Sequence, residues 1–276
     1  MSHKPLRQNN PMNAFFVPAS ALMARLRLGR KFLLAGVPTL LLLLALGLAA
    51  AQYLNARVSA IESKRVAVAL MADLVEWNKV LIESRRVTIT GTPGDPAALE
   101  GFKKQAATVD SQLAKIDQQV KDALPFFDMT KEFAGLQNGW KELQAKINAL
   151  PADAEFPQKA FSAHAPEYGR LYAFMRDMGN KSGLAQDPDA DIFYLGYPLA
   201  NNTPSTAGIA VRIAAYATMN VNRSEVSPKD KVFYEVTDAR LNDTFGSVET
   251  LLGQSMLANP VVEKALGARF DALKAS

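Results

Sequence analysis

The chain has 276 residues, 49% of them hydrophobic and 21% charged, with a formal net charge of +4 and no cysteine. That length and composition suit one or two folded domains and exclude a chain kept disordered by its composition. Without cysteine there are no disulfide staples, no thiol catalysis and no Cys-ligated metal, so a folded part must be held by its core alone.

In chain order the first feature is a basic segment: residues 1–31 carry Lys4, Arg7, Arg25, Arg27, Arg30 and Lys31 and no acid. From Phe32 to Ala56 no residue is charged. Twenty helical residues at about 1.5 Å each cover the roughly 30 Å of a bilayer core, so a transmembrane helix is expected from Phe32 to Leu54. Ala49-Ala50-Ala51 also satisfies the small-residue rule for signal-peptide cleavage. The apolar run is nevertheless longer than the roughly 7–15 residues of a signal peptide's apolar h-region, which favours an uncleaved anchor in the lipid bilayer. Pro38 is tolerated in such a helix. The positive-inside rule then predicts a cytoplasmic tail at 1–31, a span at 32–54 and the bulk of the chain, 55–276, in the periplasm, across the inner (cytoplasmic) membrane. Subtracting the six bases of the tail leaves 25 Lys and Arg against 27 Asp and Glu. A part so near neutrality is not expected to bind nucleic acid. Met23 is an alternative start, since Met23 to Lys31 alone supplies a basic flank.

Beyond the apolar segment the pattern is helical. Ile61, Val68, Val75, Ile82 and Ile89 recur every seven residues, the signature of a long helix with a supercoiled seam. Thr90 to Pro96 (TGTPGDP) breaks it. Further helices are predicted over 97–124 and 130–150, then one carrying Phe161, His164, Tyr168, Leu171, Met175 and Met178 on one face. A fifth follows the acidic stretch QDPDADIFYLG (Gln186 to Gly196), with a face that includes Ile192, Leu195, Leu199, Asn202, Thr206 and Ile209. Ser227-Pro228 reads as the cap and first residue of a sixth helix to about Leu257, and Asn259-Pro260 restarts a last one. No segment alternates as a strand does. The predicted fold is all-α: an N-terminal transmembrane helix followed by an antiparallel bundle of long helices.

No hydrolase, nucleotide-binding or metal motif appears, so neither a cofactor nor catalysis is expected. His164 falls on an apolar face and reads as a core or interface histidine. Three residues after Ile61, Val68, Val75 and Ile82 stand Lys64, Met71, Asn78 and Arg85, so one seam position turns polar while the other stays apolar. A guanidinium buried without a partner costs several kcal/mol, so Arg85 must meet an acid, a carbonyl or a ligand anion; the alternative puts Arg85 and Arg86 on a solvated face. Asn202 and Thr206 pose the same choice, with fixing helix register or an oligomer as the alternative to binding, and Asn202 and Tyr172 are weaker pocket candidates than Arg85. Asp187, Asp189 and Asp191 fail as a calcium loop, because the positions that need Gly and Glu hold Ile192 and Pro198. They fit a helix start, with Asp187 as cap, Pro188 as first helical residue, and Asp189 and Asp191 at the positive end of the helix dipole.

The order of these features, a membrane helix, a long seam helix with Arg85 before TGTPGD, the segment from Ser182 to Leu195 with its DPDxD core, and Asn202 to Pro204, resembles the extracytoplasmic sensor region of bacterial methyl-accepting chemotaxis receptors, a region also found on histidine kinases and cyclases. The resemblance implies a periplasmic helical bundle, a homodimer through its first helix, that senses a small-molecule ligand. Ala185-Gln186, Ile192 and Gly196-Tyr197-Pro198 depart from the pattern, and Pro198 is expected to kink its helix. The second membrane helix and signalling coil of such receptors do not follow, so a truncated product or fragment is expected. The alternative is a periplasmic coiled-coil adaptor that binds a partner protein and no small ligand; an envelope hydrolase is the remote third reading.

Overall fold

A computed structural model describes residue 24 and residues 27–90, 96–221 and 225–274. The basic tail before residue 24, the core of the TGTPGDP break and most of the turn before Ser227 lie outside the described residues. The chain divides into two compact units, Met1–Val58 and Ser59–Ser276. In the first, the helix that begins at Leu28 carries the apolar run, which is long and apolar enough to cross a membrane and has none of its apolar window buried. Phe32 and Leu54, the predicted ends of the span, are both exposed.

The described residues are all-α. We number the helices α1 (Leu28–Thr90), α2 (Pro96–Ala123), α3 (Thr130–Asn148), α4 (Phe156–Lys181), α5 (Ala190–Tyr197), α6 (Thr203–Asn220), α7 (Pro228–Ala258) and α8 (Pro260–Lys274). Their boundaries have local causes. Gly183 takes φ 76°, the left-handed conformation that ends α4 with little strain. Ser227 and Asp230 form a reciprocal capping box in front of Pro228, as the Ser-Pro pair predicted.

Pro198 does not end its helix. It lacks an N–H, and its ring would crowd the carbonyl four residues back; a π turn, Pro198–Asn202, widens the backbone there and joins α5 to α6. The expected kink is thus taken up as one wide turn. Gly196, two residues earlier, is equally constrained, since a Cβ there would overlap the carbonyl of Leu184.

Within the second unit, the part of α1 beyond Val58 packs with α2, α3 and α4 around one apolar core. Ala67, Leu70, Leu74, Trp77 and Leu81 of α1 meet Phe102 and Ile116 of α2, Leu136 and Trp140 of α3, and Leu171 and Phe174 of α4. Neighbouring helices run antiparallel: Lys115 of α2 pairs with Asp73 of α1 at 2.6 Å, whereas Gly101, earlier in α2, lies beside Val87, later in α1. Likewise Arg170 bonds Glu142 while Lys181 bonds Glu132 across α3 and α4. Because these contacts select the face with Ala67 and Leu74, the seven-residue row Ile61, Val68 and Val75 is turned outward and exposed.

A second layer, α5 to α8, lies along α4. Phe161 meets Tyr216 with ring centroids 5.9 Å apart, and a Cβ on Gly179 would overlap that of Ala200. Polar staples hold this layer. Ser255 of α7 donates to the carbonyl of Asp191 (2.9 Å), Asn259 donates to the Asp191 carboxylate (2.7 Å), and Tyr216 donates to Asp230 (2.7 Å).

The acidic triplet is corrected in detail. Asp187 is not the cap and Pro188 is not the first helical residue; Asp189 occupies the cap position in extended backbone and α5 starts at Ala190. The reason is that the Asp187 carboxylate is already engaged. One oxygen accepts the backbone N–H of Asp189 at 2.8 Å, a turn that delays the helix, and the other pairs with Lys64 of α1. Beside it, Ser63 donates to the carbonyl of Ser182 at 3.1 Å. Asp191 does lie in the first turn, where the dipole favours it. The triplet therefore clasps α1 and α7 as well as opening α5.

Candidate anion site at Arg85

Where α1, α4, α6 and α7 converge, a cavity of about 420 Å³ remains open. Arg85 of α1 enters it and is 4% exposed, while its neighbour Arg86 faces out and bonds Glu83. The choice left open by the sequence is settled for this pair: one guanidinium is inside, the other solvated. No described carboxylate pairs with Arg85. Its guanidinium carbon lies 4.5 Å from the ring centroid of Tyr168 and 5.4 Å from that of Phe161, both on α4, so two aromatic faces supply part of the lost solvation.

That compensation is incomplete. Nη2 of Arg85 and the hydroxyls of Tyr168 and Tyr172 are enclosed by protein and have no hydrogen-bond partner. Buried polar atoms almost always have one, so three unpartnered atoms around one cavity are unusual. Burial depresses the pKa of Arg85, and the positive charge of nearby Arg212 adds to the depression. Burial likewise pushes the Tyr172 phenol up to about 12, so it stays protonated and can donate.

The rest of the lining comes from helices whose placement the sequence did not reveal. Gly208 of α6 makes room for Tyr172, because a Cβ there would lie 2.6 Å from the phenol ring. Ser205, Ile209 and Arg212 of α6 and Arg240 of α7 complete the wall. Arg212 and Arg240 are exposed at its edge, and Arg212 rests 5.3 Å from the Phe233 ring.

Of the three predicted pocket residues, Arg85 and Tyr172 come together here. Asn202 does not. It faces a separate, shallow groove with Tyr197, Asn242 and Asp243, because the π turn shifts the register between α5 and α6. Thr206, its companion, spends its hydroxyl on the Asn202 carbonyl at 2.9 Å.

His164, one turn before Tyr168 on α4, lies fully buried in the core. Its Nδ1–H donates to the Ala160 carbonyl at 2.8 Å, and Nε2 is 3.4 Å from the Ser84 hydroxyl. Burial, with the charge of Arg85 adding, holds its pKa down at about 4, so it is neutral. Among the described residues no group of three or more His, Asp or Glu could hold a metal ion. What the site can do chemically is bind negative charge: guanidinium and phenol donors face a cavity with no acid in its lining. No family model matches the chain, and no curated protein or solved structure matches it either.

Proposed function

We propose that this chain is the sensor module of a chemotaxis-type signal transduction receptor, anchored in the inner membrane by the segment from Phe32 to Leu54, with its helical bundle in the periplasm. It binds a small anionic molecule beside Arg85 and has no catalytic role. The observation that carries this reading is the buried Arg85 guanidinium, which lines a cavity, has no ion-pair partner among the described residues and keeps one unsatisfied nitrogen, Nη2. A buried charge without a counterion costs the empty fold, and an anion in the cavity would offset that cost.

The mechanism follows from where the cavity lies. A ligand there touches α1, α4, α6 and α7 together, so it favours whichever arrangement of α6 and α7 against α1 and α4 pairs its charge best. Packed helices switch between discrete arrangements, and α1 carries the displacement toward its apolar segment. The outward row Ile61, Val68 and Val75 leaves β-branched residues exposed at seven-residue spacing on the outer face of α1, which supports pairing with a second copy along that row.

The full chain in lipid nanodiscs, melted against a metabolite panel, tests the reading. A true ligand at one hundred times its dissociation constant adds about 2.7 kcal/mol of stability, and Arg85→Lys should abolish the shift. A broad panel with no Arg85-dependent shift would put the adaptor reading in its place. N-terminal sequencing of membrane-extracted protein tests the anchor: a mature start at Gln52 would refute it.

A further inference from the structure

The geometry points to a ligand class for the Arg85 cavity: a small organic dianion, with a short carbon body between two anionic groups. This rests on the proposal that the cavity is a sensor's ligand site, and it goes beyond that proposal in fixing the ligand's charge and size.

The lining contains three guanidiniums, Arg85, Arg212 and Arg240, and no carboxylate. Among the described residues none of the three has an acid within ion-pair distance, although other arginines of the chain, Arg65, Arg86 and Arg170, do. The cavity is thus a concentration of unneutralised positive charge in a chain whose net charge is only +4. The charge of Arg212 adds to the cost of burying Arg85, and a monoanion would neutralise one of the three.

The three are not equivalent. Arg85 sits at the enclosed end, 4% exposed between aromatic rings, whereas Arg212 and Arg240 stand at the exposed rim on α6 and α7. One anionic group can therefore take the inner fork of Arg85 with the Tyr168 and Tyr172 hydroxyls, and a second can meet the rim arginines. Between them the wall is apolar, formed by Phe161, Ile209 and the tyrosine rings, which suits carbon and not a bare inorganic ion. A cavity of about 420 Å³ is near the small end of ligand pockets, which run from roughly 300 to 1,000 Å³. The planar guanidinium fork accepts carboxylate and phosphate alike, so the shared feature is the paired negative charge.

Isothermal titration calorimetry on the full chain in nanodiscs tests this with dicarboxylates of three to eight carbons, phosphorylated carboxylic acids of like size, the half-amide and diamide of each dicarboxylate, and inorganic sulfate. At least one dianion is expected to bind, roughly ten- to hundredfold more tightly than its half-amide, the loss of one charged hydrogen-bonded pair. The better of the carboxylate and phosphate arms identifies the source. Arg212→Gln and Arg240→Gln, both at exposed positions that leave the core packing intact, should narrow the gap between dianion and half-amide, while Arg85→Lys removes binding of both. Equal affinity for dianion and half-amide overturns the assignment of two anionic groups, and sulfate binding as tightly as the best organic dianion overturns the carbon body between them. Arg85-dependent binding of monoanions alone overturns it too, yet leaves the sensor reading standing. No Arg85-dependent heat with any probe overturns both.

Discussion

The two layers that share α4 are held by different forces. The layer of α1 to α4 closes on a continuous apolar core with Trp77 and Trp140 almost wholly buried. The layer of α5 to α8 buries few large side chains and relies on Asp191, Asp230 and Ser255 as polar staples. Apolar cores resist displacement because every shift opens a void, whereas a handful of hydrogen bonds re-form in a neighbouring register. The cavity lies at the border between the two. A ligand there has a fixed wall, α1 and α4, and a wall that can move, α6 and α7.

The sharpest way to break this contrast is to damage the rigid layer. Trp77→Ala should cost about 3–5 kcal/mol in urea unfolding, the usual penalty for emptying a buried aromatic site. Lys64→Met comes next. It leaves the fully buried Asp187 carboxylate without its cation, and a loss of about 3 kcal/mol is expected, with faster amide exchange at the start of α5.

Acidity separates two buried groups at the level of roughly 1–3 kcal/mol. Burial raises the pKa of Glu167 from 4.5 to about 7, even though Arg170 pulls the other way. Its neutral form is the one the fold favours, so its contribution is complete below pH 4.5 and is lost as pH rises through about 7. His164 runs opposite. Its pKa is depressed from 6.5 to about 4, so its contribution is present above 6.5 and is lost as pH falls through about 4. Urea midpoints measured across pH for Glu167→Gln should lose the decline toward neutrality, and those for His164→Gln the decline toward acid. The smallest effect belongs to the mobile layer. Ser227→Ala removes half of the capping box and should cost about 1 kcal/mol, with exchange rising in the first turn of α7 and not in α2 or α3.

Much of the fold was legible because periodicity and punctuation are local. Pro96, Ser227-Pro228 and Asn259-Pro260 mark helix starts within a residue of where they occur. Arg85 was only half legible: the sequence marked it as a charge on the seam helix but left burial and a solvated face equally open, and the tertiary packing of α1 decided between them. Other features required the tertiary structure. Asp187 looked like a free cap because its partner, Lys64, is a whole bundle away in the sequence. Asn202 looked like a neighbour of Ile209 on one face until the π turn at Pro198 changed the register. Arg212, Arg240 and Gly208 carried no local sign, since only the packing of α6 and α7 against α4 brings them to Arg85.

Whether Arg85 serves a ligand or the fold is tested most directly by urea unfolding of Arg85→Met without any added anion. A guanidinium kept for a ligand is a burden on the empty protein, and an apolar chain of similar length should relieve it despite the lost ring contacts. The unfolding midpoint is expected to rise, by about 1 kcal/mol or more in stability at an unchanged urea dependence. An unchanged or lower midpoint would show that Arg85 is a structural residue and would contradict the assignment of its cavity as a ligand site.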